Sequence, residues 1–112
     1  MSLSLKTRKV GDVVIIDLSG KLTIGEPVLL LRETLRTQTA EGQRKFILNL
    51  ADVGYIDSSG VASLVEGLKA SRETGSRFVL FGLNDSAREV LKISRLLKLF
   101  EVYDDETQAI AS

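Results

Sequence analysis

An aspartate, two serines and a glycine in succession, Asp57-Ser58-Ser59-Gly60, are the residues of this chain whose types and spacing could do chemistry. They close the run Asp52-Val53-Gly54-Tyr55-Ile56 and precede an apolar-periodic stretch. That pattern predicts two hydroxyls at the first turn of a helix, where backbone amides are unpaired and the helix dipole favours negative charge. Asp, Ser and Gly ahead of such a stretch are also ordinary capping and turn residues. One residue suffices for a cap, however, and here three precede the glycine. A catalytic use of the same groups finds little support. The chain has no histidine and no cysteine, so a serine nucleophile has no evident base and no thiolate can hold a metal. No phosphate loop, dinucleotide fingerprint or metal-ligand cluster is visible, and no cofactor is expected.

The elements that must position this segment alternate in type. Leu3, Leu5 and Thr7 read as an edge strand, Gly11-Asp12 as a turn, and Val13-Val14-Ile15-Ile16-Asp17-Leu18 as its β-branched hairpin partner. Gly20-Lys21-Leu22-Thr23 reads as a turn into a first helix, opened by Pro27, carried by Val28, Leu31 and Leu35, and ended at Gly42. Phe46-Ile47-Leu48-Asn49-Leu50 has the continuous apolar character of a buried central strand. After a loop over Ala51–Ile56, a second helix runs from about Ser59 to Ser71 with Val61, Leu64, Val65 and Leu68 on one face. Phe78–Phe81 is a further buried strand. Ala87, Val90, Leu91 and Ile93 mark a third helix, Phe100-Glu101-Val102 a short strand, and Glu106–Ile110 a last helix. Strands separated by helices imply βαβ units. The expected fold is α/β: a small mixed, mostly parallel sheet with an N-terminal hairpin and about four helices, in one domain over 1–112.

In that fold the Asp57–Gly60 segment lies beyond the carboxyl end of a central strand, where open α/β sheets tend to bind ligands and partners. Behind it, Ala62, Ser63 and Gly67 read as an unusually small exposed helix flank, low enough for another protein to pack closely. The expected partner-binding residues are therefore Asp57, Ser58, Ser59, Gly60, Ala62 and Ser63.

The composition bounds what such a surface could meet. Basic and acidic side chains number 15 each, so there is no global field to hold nucleic acid or an acidic membrane. With 44% hydrophobic and 27% charged residues the chain is that of a globular domain rather than a disordered one. The start Met1-Ser2-Leu3-Ser4-Leu5-Lys6 lacks the apolar stretch of a signal peptide, and nothing later is long enough to span a bilayer. The expected compartment is the cytoplasm.

Taken together, Asp57-Ser58-Ser59-Gly60 reached through Phe46–Leu50, the Gly20-Lys21-Leu22 turn, the helix after Pro27, the Phe81-Gly82-Leu83 strand exit and the Phe100–Ile110 tail resemble the anti-sigma factor antagonists of the STAS family. The resemblance covers nearly the whole chain. It implies a STAS-like fold and a non-enzymatic protein whose phosphoacceptor is Ser58, with Asp57 and Ser59 shaping the same site. It implies as partners an anti-sigma factor with serine kinase activity, bound by the unphosphorylated form so that a sigma factor is released, and a serine phosphatase that resets the cycle. One departure stands out. Many members carry an acid immediately after the Gly-x-Leu turn, and this chain has Thr23 there, with Glu26 nearby.

Other features have plainer readings. Arg88, Lys92, Arg95 and Lys98 recur at helical spacing as a basic stripe, either a docking surface or a solvated face. Asp104, Asp105 and Glu106 suit the opening of the last helix. Tyr55 fits an interface anchor or the core rim, and Leu29 and Leu30 fall partly off the first helix's apolar face, as a self-association site would. Two alternatives to the switched antagonist remain: a constitutive STAS scaffold or accessory subunit of a stress-signalling or transport complex, and a small-molecule or nucleotide-binding enzyme using Asp57 and Ser58.

Overall fold

The computed structural model describes residues 3–112; Met1 and Ser2, with which the expected domain begins, lie outside the described residues. The chain runs β1 (Leu3–Val10), β2 (Val13–Leu22), α1 (Glu26–Ala40), β3 (Lys45–Ile56), α2 (Ser58–Glu73), β4 (Arg77–Phe81), α3 (Asp85–Ile93), a 3-10 turn (Leu97–Leu99), β5 (Glu101–Tyr103) and α4 (Glu106–Ala111). One five-stranded sheet forms in the order β1-β2-β3-β4-β5. The β1/β2 hairpin is antiparallel, turning at Gly11 with φ 61°, and each later pairing is parallel. This is the mixed, mostly parallel sheet that the alternation of strands and helices predicts.

The strand order also decides where the helices go. Parallel strands added one after another by right-handed crossovers place every connecting helix on the same face. Accordingly Leu31 of α1, Val61, Leu64 and Leu68 of α2, and Ala87 and Leu91 of α3 share one apolar core with Val14, Ile16, Leu18, Phe46, Leu48, Phe78 and Leu80 of the sheet. The opposite face carries Val13, Ile15, Ile47, Val79 and Phe81, which pack on Ala109 of α4. Central strands are thus apolar on both sides, which is why they read as continuous hydrophobic runs.

α4 is fastened by polar contacts as well. Arg8 of β1 pairs with Asp17 of β2 and with Glu106, and Asn49 of β3 donates to the same Asp17 carboxylate at 2.9 Å. Lys45 Nζ donates to the carbonyls of Ile110 and Ser112, at 3.2 and 2.7 Å. Burial, and then the nearby Arg77 charge, hold the Lys45 ammonium below the usual lysine range.

Two expectations need correction. β2 continues to Leu22 and β3 to Ile56, so Gly20–Leu22 is strand rather than turn and Ala51–Ile56 is strand rather than loop. The two extensions pair as Gly20↔Val53, Lys21↔Tyr55 and Leu22↔Ile56, after register shifts following Asp17 and Gly20. Irregularities of this kind add a residue and reset the inside-outside alternation. Val53 and Ile56 therefore both point inward although three positions apart, and the strand loses its period of two. Ile93 lies on α3 as expected, as its last residue and exposed. Secondly, the basic residues do not form one stripe. Only Arg88 and Lys92 lie on α3; Arg95 sits in a left-handed turn with φ 62° and Lys98 in the 3-10 turn.

Candidate functional site

The paired extensions of β2 and β3 end side by side, and both chains then leave the sheet at the same place. β2 passes through Thr23-Ile24-Gly25 into α1, whereas β3 passes through a single residue, Asp57, into α2. Asp57 is extended, with φ −92° and ψ −177°, and is the N-cap of α2. Its Oδ1 accepts from the Gly60 amide at 2.8 Å, the bond expected of an N-cap carboxylate. Its Oδ2 accepts from the Ile24 amide at 3.0 Å, across in the β2–α1 connection. On the main chain, the Asp57 amide donates to the Leu22 carbonyl at 3.3 Å, and the Asp57 carbonyl accepts from Val61 at 3.0 Å. One residue thus ties two loops and a helix start together. The Ile24 amide, then that of Gly60, holds the Asp57 carboxyl below the usual carboxylate range, so it is ionised at neutral pH.

Gly60 allows the close approach. A Cβ there would lie 2.2 Å from the Leu22 carbonyl oxygen and 2.8 Å from Ile56 Cγ2. Only glycine lets the first turn of α2 rest on the end of β2 in this way.

The expected site residues therefore separate into two groups. Ser58 is the first residue of α2 and is exposed, as is Ala62 one turn on; Asp57 and Ser59 are half-buried at the same corner. Gly60 and Ser63 do not belong to an outward flank. Gly60 is buried against Leu22, and Ser63, only 7% exposed, turns its hydroxyl back to the Gly60 carbonyl at 2.7 Å. Gly67, read as part of the same small flank, is also buried, beneath the Phe78 ring. At Gly60 and Gly67 the small residue lets helix backbone come close to Leu22 and Phe78.

Apolar side chains rim the corner. Ile24 is 74% exposed, and Tyr55, beside Lys21 on the paired strand ends, is 53% exposed. Tyr55 thus stands outside the core. Leu29 and Leu30 of α1 are exposed too. Thr23 is half-buried between Leu22 and Ile24, and Glu26 lies exposed in the first turn of α1. Ile24 was not singled out from sequence, although a large apolar residue between Thr23 and Gly25 in a connecting segment was a usable signal. Asn84 also went unnoticed. It caps α3 through the Ala87 amide and donates to the Val53 carbonyl at 2.6 Å, stitching α3 to the irregular end of β3. Among the described residues no three acidic side chains are grouped to hold a metal ion.

The arrangement offers an accessible hydroxyl on a rigid, amide-rich helix start, next to a fixed negative charge. Comparison with known proteins adds the following. A STAS domain family model matches residues 4–109. A Thermotoga neapolitana protein provisionally named an anti-sigma factor antagonist is 31% identical over 101 residues, covering 90% of this chain and 89% of that one. The anti-sigma-B factor antagonist of Staphylococcus aureus is 28% identical over 102 residues, covering 91% and 94%. The crystal structure of a Thermotoga maritima protein, also provisionally named an anti-sigma factor antagonist, superposes with a TM-score of 0.88 at 29% identity, over 96% of this chain and 92% of that one.

Proposed function

Because this chain belongs to the STAS domain family, we propose that it is an anti-sigma factor antagonist whose α2 corner binds an anti-sigma factor and is switched off by phosphorylation of Ser58. The observation that carries this reading is the exposure of Ser58 at the first position of α2, one residue from the anchored Asp57 carboxylate.

The physics of the switch is local. A phosphate on Ser58 adds about −1.5 to −2 charges at neutral pH. The start of α2 tolerates that charge through its dipole and free amides, and Asp57 is already held by backbone donors that a phosphate does not remove. The domain therefore stays folded. Toward a partner the change is large, because the exposed corner of Ser58, Ala62, Ile24 and Tyr55 then carries close to three negative charges. Burying that charge against another protein leaves it unpaired, and a loss of about 3 kcal/mol lowers affinity roughly a hundredfold. In this scheme the protein is a binding module and not an enzyme. Its partners are an anti-sigma factor with serine kinase activity and a serine phosphatase, all working in the cytoplasm. Among the described residues no helix is long and apolar enough to cross a membrane.

The test uses wild type, Ser58→Asp and Ser58→Ala in parallel pull-downs from native lysate, with mass spectrometry of Ser58 and of the captured kinase. All three fold alike; Ser58→Ala retains the kinase and Ser58→Asp releases it. Undiminished binding by a fully Ser58-phosphorylated sample overturns the proposal, and leaves the constitutive scaffold as the reading of the same fold.

A further inference from the structure

A groove of about 490 Å³ opens between α1 and α2, away from the Ser58 hydroxyl. Its volume lies within the range of about 300–1,000 Å³ typical of small-molecule sites. The groove exists because α2 presents Ser63, Gly67, Ala70 and Ser71 toward α1, none long enough to reach across. At Gly67 a Cβ would stand 2.8 Å from the Phe78 ring and 3.2 Å from Leu35 Cδ1, so helix backbone covers the ring; Phe46 and Phe78 lie buried at the base, and Leu35, Ala40 and Ala70 carry the open apolar surface of the groove. The serine hydroxyls do not make the lining polar. Ser63 and Ser71 each donate at 2.7 Å to a carbonyl of their own helix, Gly60 and Leu68. Thr74 likewise donates to the Ala70 and Ser71 carbonyls, and apart from Thr39 and the charged rim the surface facing the space is methyl and methylene.

The rim, by contrast, is charged, and asymmetrically so. Arg32 of α1 spans the opening to Glu66 of α2, with bonds of 2.7 and 3.3 Å, so both of those charges are taken. Arg36, one turn further along α1, pairs only with Glu33 on its own helix, and both side chains are well exposed at 71% and 60%. Such a pair is held weakly and exchanges readily. A carboxylate entering the groove therefore finds a guanidinium to which it can bind through two bonds, whereas the acid that lines the groove among the described residues, Glu66, is held by Arg32 through two bonds, and Glu33 lies outside the lining.

We propose that this groove binds an amphipathic monocarboxylate, an apolar chain lying along Leu35, Ala40 and Ala70 with its head group on Arg36. The site does not use Ser58, so it stands or falls apart from the switch.

Decanoate is the probe, titrated below its micellar concentration into the full-length 15N-labelled chain, with decanol and decylamine as neutral and cationic controls. The expected result is saturable shifts in the amides of Leu35, Gly67 and Ala70, with decanoate about fivefold tighter than either control. Ala70→Phe fills the groove from an exposed position and abolishes the shifts. Arg36→Glu weakens decanoate about fivefold and leaves decanol unchanged, and as a surface change it keeps the test decisive should Ala70→Phe disturb folding. Absence of saturable shifts overturns the proposal, as does equal binding of all three probes. So does self-association of the wild type that Ala70→Phe removes, since a second copy would then be the occupant.

Discussion

α2 and α4 begin on the same device and differ in nearly everything around it. Each is capped by an aspartate whose Oδ1 accepts the amide three residues on, Asp57 from Gly60 at 2.8 Å and Asp105 from Gln108 at 2.9 Å. At α2 the second carboxylate oxygen reaches into another loop, to Ile24, and a glycine lets backbone rest on backbone. At α4 the cap residue is exposed and the six-residue helix is held by side-chain charge, Arg8 on Glu106 and Lys45 on the last carbonyls. A cap pattern thus marks where a helix starts but not what the start is for. A corner fastened by main-chain donors and a buried glycine leaves its hydroxyls free. One fastened by ion pairs uses its polar groups for holding on.

The sharpest way to break this contrast is to put a methyl group at Gly60. Ala at this position places a Cβ 2.2 Å from the Leu22 carbonyl, a backbone atom that cannot rotate away. The expected cost is about 3 kcal/mol, at the upper end for overpacking. Gly54, six residues earlier, has nothing within 4 Å of such a Cβ, so Gly54→Ala should stay within about 0.5 kcal/mol of wild type. Urea midpoints of the two variants decide it. A shift at Gly60 as small as at Gly54 would show that α2 is not pinned to β2.

Gly60 also shows where the sequence was readable and where it was not. The strand cores, the helix order and the α2 cap follow from apolar runs, a 3.6-residue period and Asp-Ser-Ser-Gly, all local signals. The stripe Gly60, Ser63, Gly67 and Ser71 shares that helical period and sits beside Leu64 and Leu68, so its burial was in principle legible. Gly60, Ser63 and Gly67 nevertheless read as outward from sequence, because small residues carry no hydrophobic signature and the atoms the two glycines accommodate, Leu22 O and the Phe78 ring, come from distant segments. The extensions of β2 and β3 were hidden for another reason: the register shifts erase the alternation by which a strand is recognised. Ile93 sits at helical spacing but at the end of α3, where no further turn remains to carry it over the core.

A middle-sized effect separates the two caps directly. Asp57→Ala removes an N-cap bond and the Ile24 bond together, and should cost about 1–2 kcal/mol. Asp105→Ala removes a single exposed cap bond and should cost about 0.5 kcal/mol. Hydrogen exchange gives the local reading. Protection falls at both Gly60 and Ile24 in the first variant, and near Gln108 alone in the second. Equal costs, or an Ile24 amide that stays protected without Asp57, would mean that the carboxylate does not bridge the two loops.

The smallest effect concerns acid, and it tests whether α4 is held by charge. Arg8 is the leading cause that keeps the carboxyls of Asp17 and Glu106 below their usual range. A carboxyl whose folded pKa is depressed binds more protons when unfolded, so its contribution is complete above about pH 5 and fades as pH drops through the folded value. Asp57 follows the same sign, but its donors are amides that Arg8 does not touch. Replacing Arg8 by Gln should therefore lower stability at pH 7 by only about 0.5–1 kcal/mol, because side chains 30–40% exposed are screened by water and salt. The deficit should shrink in high salt and fade as the pH falls below about 5, wild type and variant converging once both carboxyls are protonated in the folded protein. Asp57→Ala should keep its pH 7 deficit in high salt, since hydrogen bonds from backbone amides depend far less on ionic strength than exposed ion pairs. If instead the Arg8→Gln deficit persists unchanged from pH 7 to pH 2, the α4 latch is packing rather than charge, and the two helix starts are more alike than their contacts imply.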